Sequence, residues 1–166
     1  METHTKNFTA EEIRSALEQV KDPEIPVLSI VEMGMVSKID ADAEVPVVVL
    51  TPTFVGCPAL NLIRQSAVEA LKERGIHAEV KFDLSDKWTT NRLSPQAKEK
   101  LEKFGLAPPP YLSDEELTEE QLNRVRCPHC HSTDTTLRTA FGSTLCRAIR
   151  FCFTCRQAFE QFKPVA

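Results

Sequence analysis

The sequence predicts an α/β body (a small α+β sheet with a βαβ unit) followed by a small C-terminal β module stapled through cysteines. Two observations support this prediction. A helical apolar stripe lies between two strand-like stretches within residues 45–84, and strand, helix and strand over about 40 residues are typical of a βαβ unit. Near the C-terminus, two Cys-x-x-Cys pairs are typical of a metal-stapled module.

Local signals define the elements of the body. Thr9-x-x-Glu12 is a capping box, which predicts that a helix begins there and runs to Asp22-Pro23. The β-branched run at 45–50 is suited to a buried strand. The remaining predicted elements are a strand at 35–40, a helix at 58–74, a strand at 78–84 and a short helix from Ser94-Pro95 to Gly105.

The two cysteine pairs are the strongest chemical signal. Four thiolates from two tight turns give tetrahedral coordination with no open position, which indicates structural zinc rather than a catalytic metal. An iron–sulfur centre, or a redox dithiol that needs only one pair, remains as an alternative. The predicted zinc ligands are Cys127, Cys130, Cys152 and Cys155.

Three segments follow from these signals. We predict an α/β domain at 8–105, a Pro-rich linker with an acidic helix at 106–125, and a four-cysteine zinc ribbon at 126–166. We interpret Cys146, inside the ribbon, as a buried strand residue because four-coordinate zinc needs no fifth thiolate. Trp88, which follows the last body strand, is expected to pack in a core or an interface.

Net charge is −4 and is unevenly distributed, since residues 124–166 carry +5 and the rest carries −9. A basic ribbon could contact nucleic acid, an acidic partner or the acidic body, or could simply be solvated. We treat nucleic-acid binding as the weakest of these interpretations. The polar N-terminus and the lack of a long apolar run predict a cytoplasmic protein with reduced thiols and no membrane segment.

Cys57 is the candidate reactive residue of the body. It lies in Gly56-Cys57-Pro58 between a strand and a helix, where a helix N-terminus would favour the thiolate. Such a thiolate could bind metal or attack an electrophile, or the residue could be an inert cap. Asp22 and Glu24 would reach Cys57 if their loop folds over the sheet edge; otherwise they are solvated turn residues.

The sequence offers no complete catalytic set. No Cys-His-Asp arrangement, phosphate-binding loop or dinucleotide fingerprint is apparent. We therefore expect a protein that is not an enzyme. The histidines, which do not complete such a set, are His4, His77, His129 and His131.

Several short motifs form a recognisable combination. In the body these are Asp-Pro-Glu-Ile-Pro at 22–26, Gly-Met-Val at 34–36 and Thr-Pro-Thr-x-x-Gly-Cys-Pro-Ala at 51–59. Downstream stand Trp-Thr-Thr at 88–90 and Phe-Gly-Ser-Thr-x-Cys at 141–146. The body motifs closely resemble the SufT-like family of metal–sulfur cluster assembly proteins. The downstream motifs match the branch of that family that is encoded with the phenylacetyl-CoA monooxygenase/epoxidase of aerobic phenylacetate breakdown.

The resemblance implies an accessory protein that helps to assemble or maintain an iron–sulfur or iron centre of that epoxidase. It implies that Cys57 is a transient iron or cluster ligand, that Asp22 and Glu24 form a supporting acidic loop, and that the ribbon docks on a partner. The partners implied are the epoxidase subunits, foremost the iron–sulfur flavoprotein reductase. A homodimer could bring two Cys57 thiolates around one cluster fragment. A docking subunit in which Cys57 is incidental is the alternative.

Two departures from the family pattern stand out. Asn91 and Arg92 follow the Trp-Thr-Thr motif where an acidic and an aromatic residue are usual, which puts a metal or partner role for this loop in doubt. The cysteine often found near the C-terminus is absent, since the chain ends Phe-Lys-Pro-Val-Ala at 162–166. The ribbon is therefore expected to form without it.

Overall fold

The computed structural model describes residues 7–113 and 118–165, leaving aside the side chain of Gln121. The chain forms two compact units that divide between Lys87 and Trp88. Our sequence-based boundary lies at 105/106 instead. A compact unit is defined by its internal contacts and a domain by its ability to fold independently. The division of the chain into the three predicted segments therefore stays a prediction.

The described part of the first unit contains a three-stranded sheet and two helices. The elements are α1 (Ala10–Leu17), β1 (Val36–Asp40), β2 (Val47–Leu50), α2 (Leu60–Glu73) and β3 (Glu79–Phe82). The strand order is β1-β2-β3, with β1 antiparallel and β3 parallel to the central β2. The parallel pair with α2 between its strands is the predicted βαβ unit.

Helix α1 begins as predicted but ends earlier. The Thr9 hydroxyl accepts a hydrogen bond from the Glu12 amide at 3.2 Å, and the Glu12 carboxylate accepts one from the Thr9 amide at 2.8 Å. This reciprocal pair is the capping box. The helix buries Ile13 and Leu17. It stops at Leu17 rather than near Asp22, because the loop that follows makes its own hydrogen bonds.

The second unit contains a four-stranded sheet and two helices in its described part. The elements are a 3-10 turn (Thr90–Arg92), α3 (Pro95–Phe104), β4 (Leu106–Ala107), α4 (Glu119–Asn123), β5 (Thr135–Thr139), β6 (Arg147–Cys152) and β7 (Ala158–Phe162). The strand order is β4-β7-β6-β5. All pairs of neighbouring strands are antiparallel except β4 with β7, which is parallel.

Helix α3 has the predicted ends. The Ser94 hydroxyl accepts a hydrogen bond from the Ala97 amide at 3.0 Å, and Gly105 closes the helix with a φ of 91°. Strand β4, by contrast, was not predicted, since the sequence analysis assigned 106–107 to the linker. Two residues carry no detectable alternation, and their strand conformation depends on pairing with β7.

The beginning and the end of the second unit are joined to each other. Trp88 is buried, and its ring lies 5.9 Å from that of Phe162. The Thr90 amide donates to the Val165 carbonyl at 2.9 Å. The expectation that Trp88 packs in a core is confirmed. None of the helices in the described part of the chain is long and apolar enough to cross a membrane.

Candidate metal-binding sites

The four predicted ligand cysteines converge in the second unit. Their sulfur atoms all lie within 4.8 Å of one another. Cys127 Sγ is 3.7 Å from Cys155 Sγ, and Cys130 Sγ is 3.5 Å from Cys152 Sγ. Four sulfurs at about 2.3 Å from one zinc ion lie about 3.8 Å apart in a tetrahedron. The residues therefore fit a closed four-thiolate metal site.

The two cysteine turns have the same construction. The Cys127 amide donates to the Ser132 carbonyl and the Cys152 amide donates to the Gln157 carbonyl, each five residues on and at 2.9 Å. The Ser132 and Thr154 hydroxyls join the two turns at 2.7 Å. This doubled turn positions the four sulfurs.

Backbone amides donate hydrogen bonds to the four sulfurs, which stabilise negative charge on them. Each sulfur accepts a hydrogen bond from the amide two residues further along the chain. The amides of Cys155 and Thr154, helped by neighbouring thiols, lower the pKa of Cys152 to about 7, whereas burial raises the pKa of Cys155 to about 12. The donor amides are those of His129, Ser132, Thr154 and Gln157.

A left-handed residue ends each cysteine turn. His131 follows Cys130 with a φ of 62°, and Arg156 follows Cys155 with a φ of 58°. This conformation costs a residue with a Cβ about 1–2 kcal/mol. The sequence analysis missed both positions, because glycine is the usual signal for a left-handed residue and neither turn has one. His131 is also tied to α3, since its Nδ1 lies 3.1 Å from Glu102 Oε1.

The loop that carries Asp22 and Glu24 is rigidly built. Asp22 is buried, and its Oδ1 accepts hydrogen bonds from the amides of Glu24 at 2.8 Å and Ile25 at 2.9 Å. The Asp22 amide donates to the Leu28 carbonyl at 3.0 Å, which closes the loop. The side chains of Ile25 and Leu28 are buried and anchor it.

The negative charges of this loop act on the pKa of Cys57. Partial burial raises the pKa of Cys57 above its ordinary value, an amide hydrogen from Ala59 lowers it, and the carboxylates of Glu24 and Asp22 raise it. The charges of Glu24 and Asp22 thus act on the half-buried Cys57 thiol within the first unit. That these three residues form one functional site is a proposal.

Cys57 is expected directly before a helix that begins at Pro58, but the helix begins later. Helix α2 begins at Leu60 with Ala59 as its N-cap, so Cys57 stands two residues before the cap. The Ala59 amide hydrogen bond lowers its pKa, yet the net shift is upward. Cys57 is therefore mainly a neutral thiol near neutral pH.

Cys146 is buried and is not one of the four clustered cysteines. It lies in the turn before β6, not in a strand as we predicted, because β6 begins at Arg147. The Thr144 hydroxyl is 3.1 Å from its sulfur. The geometry therefore provides no fifth ligand.

The basic side chains after residue 123 are largely used inside the second unit. Arg150 is buried, and Lys163 Nζ donates to the Ala140 carbonyl at 3.1 Å. Three further arginines form ion pairs with glutamates of the same unit. The ion pairs are Arg124 with Glu120, Arg126 with Glu102 at 3.9 Å and Arg147 with Glu160 at 3.7 Å.

Comparison with known protein families assigns both units. Residues 10–82 match the family described as "Iron-sulfur cluster assembly protein", and residues 113–163 match the "PaaD zinc beta ribbon domain". The first match contains Cys57 and its acidic loop. The second contains all four clustered cysteines.

Two curated proteins are similar to this chain. An Escherichia coli (strain K12) protein, provisionally named as the D component of 1,2-phenylacetyl-CoA epoxidase, is 40% identical over 155 residues, which cover 93% of this chain and 92% of that protein. The Bacillus subtilis (strain 168) Fe-S protein maturation auxiliary factor YitW is 35% identical over 91 residues, which cover 53% of this chain and 88% of that protein.

Solved structures support the fold of the first part of the chain. A domain of unknown function (DUF59) from Bacillus anthracis is 29% identical with a TM-score of 0.51, covering 55% of this chain and 89% of that domain. A conserved hypothetical protein from Thermotoga maritima is 34% identical with a TM-score of 0.51, covering 61% of this chain and 99% of that protein.

The E. coli relative spans nearly the whole chain, and the two family matches fall in the same order as the two sites. This chain therefore belongs to the PaaD family of phenylacetyl-CoA epoxidase components, in which an iron–sulfur cluster assembly domain precedes a zinc ribbon.

Proposed function

We propose that this protein is an accessory factor of aerobic phenylacetate degradation. It helps to assemble or maintain the iron–sulfur or iron centre of the multicomponent phenylacetyl-CoA monooxygenase/epoxidase. Cys57 holds the metal or cluster transiently, and the ribbon docks on the recipient. The names of the relatives support this proposal, since one is an epoxidase component and another is an Fe-S maturation factor.

The single observation that carries the proposal is that the carboxylates of Glu24 and Asp22 lie near enough to the Cys57 thiol for their charges to act on it. Sulfur and carboxylate oxygen are both ligands for iron. A raised pKa means that iron must displace a proton to bind, which weakens its retention at neutral pH. A carrier that must release its cargo needs this weak retention, whereas the closed four-cysteine site would hold a metal tightly.

The metal of the ribbon is proposed to be zinc. The sulfur spacing fits tetrahedral coordination by Cys127, Cys130, Cys152 and Cys155. Zinc there would be structural, since all four positions are filled by protein. An iron–sulfur centre remains the alternative that metal analysis would detect.

A non-enzymatic role is favoured by the charges around Cys57. A nucleophilic cysteine needs a base or a cation that lowers its pKa, whereas here burial and the charges of Glu24 and Asp22 raise the pKa of Cys57. All six cysteines are free of disulfides, which agrees with the reducing cytoplasm as the proposed location.

The proposed partners are the epoxidase subunits, foremost the iron–sulfur flavoprotein reductase. Two apolar side chains near Cys57 in sequence are exposed, Val55 at 64% and Leu62 at 51%. Exposed apolar side chains near a cargo residue suit a protein surface that covers the cargo during transfer. A second copy of this chain could cover the same side chains, so a homodimer is the other proposed arrangement.

Metal and sulfide analysis of protein purified without oxygen tests this function. Wild type should contain one zinc per chain together with additional iron and sulfide, and Cys57→Ser should lose only the iron and sulfide. Cys146→Ser is the matched control, because it removes a thiol outside both sites. In cells, unchanged cluster occupancy of the reductase with folded Cys57→Ser protein would contradict the proposal.

A structural docking subunit is the second candidate. The second unit displays large apolar side chains, with Phe141 77%, Leu145 55% and Phe153 50% exposed. Such side chains are typical anchors of protein interfaces. A stoichiometric complex with an epoxidase subunit that Phe141→Ser weakens and Cys57→Ser leaves intact would favour this candidate, provided that Cys57→Ser also leaves cluster occupancy unchanged.

A further inference from the structure

A cavity of about 510 Å³ lies in the second unit, on one face of its sheet. Strand register places Leu137 opposite Arg150 and Ala148 opposite Gln161, so neighbouring strands contribute to one face. Helix α4 and the segment after β7 complete the lining. The other residues that line the cavity are Glu119, Leu122, Asn123, Ala140, Lys163 and Pro164.

Arg150 is the unusual member of this lining. It is only 2% exposed, and burial lowers the pKa of its guanidinium. One terminal nitrogen donates to Gln161 Oε1 at 3.2 Å and the other to the Asn123 carbonyl at 2.9 Å. Both acceptors are neutral, and within 7–113 and 118–165 no carboxylate pairs with it.

Two buried donors beside the cavity lack an acceptor. Arg150 Nε and Gln161 Nε2 have no hydrogen-bond partner in the part of the chain that the structure describes. An unsatisfied buried donor destabilises the folded state, and a charged one does so more strongly. A buried arginine is normally paired with a negative charge. Among the residues that the structure describes, the positive charge of Arg150 has no negative partner and two donors are spare, and an anionic acceptor would satisfy both.

The rest of the lining indicates the body of the ligand. Leu122, Leu137, Ala140, Ala148 and Pro164 provide apolar walls. A cavity with mostly apolar walls and a few placed polar groups is typical of small-molecule sites of this volume.

The lining also contains a second cation, Lys163, and one acid, Glu119. Lys163 Nζ already donates a hydrogen bond to the Ala140 carbonyl at 3.1 Å. Glu119 is exposed to water, which screens its charge. One strong cationic contact and apolar walls match a single negative charge better than a phosphate.

We propose that this cavity binds a small monocarboxylate with an apolar body, whose carboxylate is held by the guanidinium of Arg150 and the side-chain amide of Gln161. This site is separate from the four-cysteine cluster and from Cys57, and the proposal does not depend on the proposed function.

Phenylacetate is the probe, because it carries one carboxylate on an aromatic body and is much smaller than the cavity. It is titrated into the full-length, metal-loaded protein, and amide NMR shifts are followed. We expect saturable shifts that include Ala148 and Gln161. Phenylacetamide, which keeps the shape without the charge, and acetate, which keeps the charge without the body, should each bind about tenfold more weakly or worse.

Arg150→Met tests the assigned residue, and Arg138→Met is its matched control on the exposed side of β5. We expect Arg150→Met to weaken phenylacetate binding about tenfold or more and Arg138→Met to leave it unchanged. Metal content and melting verify the fold of both variants. Should Arg150→Met fail to fold, Leu122→Trp narrows the cavity without touching the arginine and should also weaken binding.

Three results with the unchanged protein would overturn the proposal. These are no saturable shift at millimolar phenylacetate, equal binding of phenylacetate and phenylacetamide, and equal binding of phenylacetate and acetate. Undiminished binding by a folded Arg150→Met protein would overturn the role of the arginine and with it the site.

Discussion

The side chain of Asn91 pairs with both backbone polar groups of Leu112. Its Oδ1 accepts a hydrogen bond from the Leu112 amide at 2.8 Å, and its Nδ2 donates to the Leu112 carbonyl at 2.6 Å. Only a side-chain amide offers a donor and an acceptor in this arrangement. The departure from the family pattern at this position thus has a structural role, since it attaches the segment after β4 to the 3-10 turn.

Replacing Asn91 by Asp should destabilise the second unit. The carboxylate can still accept from the Leu112 amide, but it cannot donate, and it faces the Leu112 carbonyl. We expect a loss of about 1–3 kcal/mol in the free energy of unfolding, measured by urea denaturation. Asn61→Asp, on an exposed position of α2, is the matched control and should be nearly neutral. Equal effects of the two substitutions would contradict this role.

Loss of the ribbon metal should unfold more than the predicted ribbon. Cys130→Ser removes one of four ligands, and structural zinc supplies on the order of 10 kcal/mol to such modules. Because β4 pairs with β7, we expect amide hydrogen exchange to accelerate in α3 as well as in β5, β6 and β7. Helices α1 and α2 should keep their protection.

The same measurement decides between the two boundaries. Protection of α3 in Cys130→Ser protein would place the boundary at 105/106, as the sequence analysis predicts. Loss of the cooperative melting of the first unit would contradict both divisions. Cys146→Ser, whose sulfur lies outside the cluster, should leave the exchange pattern unchanged.

Neutralising the acidic loop should make Cys57 more reactive. Its folded pKa is raised by burial and by the charges of Glu24 and Asp22, so its thiolate fraction is small at neutral pH and grows as pH rises. Glu24→Gln, and Asp22→Asn, which keeps the Oδ1 acceptor, should lower that pKa and speed alkylation several-fold at pH 7.5. Iodoacetamide labelling of the Cys57 peptide, followed by mass spectrometry, measures the rate.

Glu79→Gln provides the control for this experiment, because Glu79 is an exposed residue of β3 and does not act on the Cys57 pKa. The labelling midpoint should move to lower pH in the two loop variants and stay in place in the control. A midpoint that all three variants leave unmoved would show that the loop charges do not reach the thiol.

A glycine at position 156 should stabilise the ribbon. Arg156 is left-handed, and removing its Cβ relieves a conformational cost of about 1–2 kcal/mol, part of which is offset by the greater freedom of glycine in the unfolded chain. We expect Arg156→Gly to raise the melting temperature of the metal-loaded protein. Arg156→Ala loses the same side chain but keeps the Cβ, so a rise of equal size in both variants would point to charge rather than backbone strain.

Several parts of this protein could be predicted because their causes are local. Thr9 and Glu12 lie one helical turn apart, and Ser94 and Gly105 bracket α3. The Cys-x-x-Cys spacing itself sets two ligands on each turn. In each case the interacting groups are close in sequence, so the pattern of residue types is sufficient.

The sequence by itself determined the capped helices, the βαβ order and the four-cysteine ribbon. Only the tertiary structure decided that β4 joins β7, that Asn91 holds Leu112, that Arg150 is buried without an acidic partner among the described residues, and that burial and the acidic loop raise the pKa of Cys57. The physical reason is distance. Hydrogen bonding across strands, burial and Coulomb interaction depend on positions in space, which residues far apart in sequence acquire only when the chain folds.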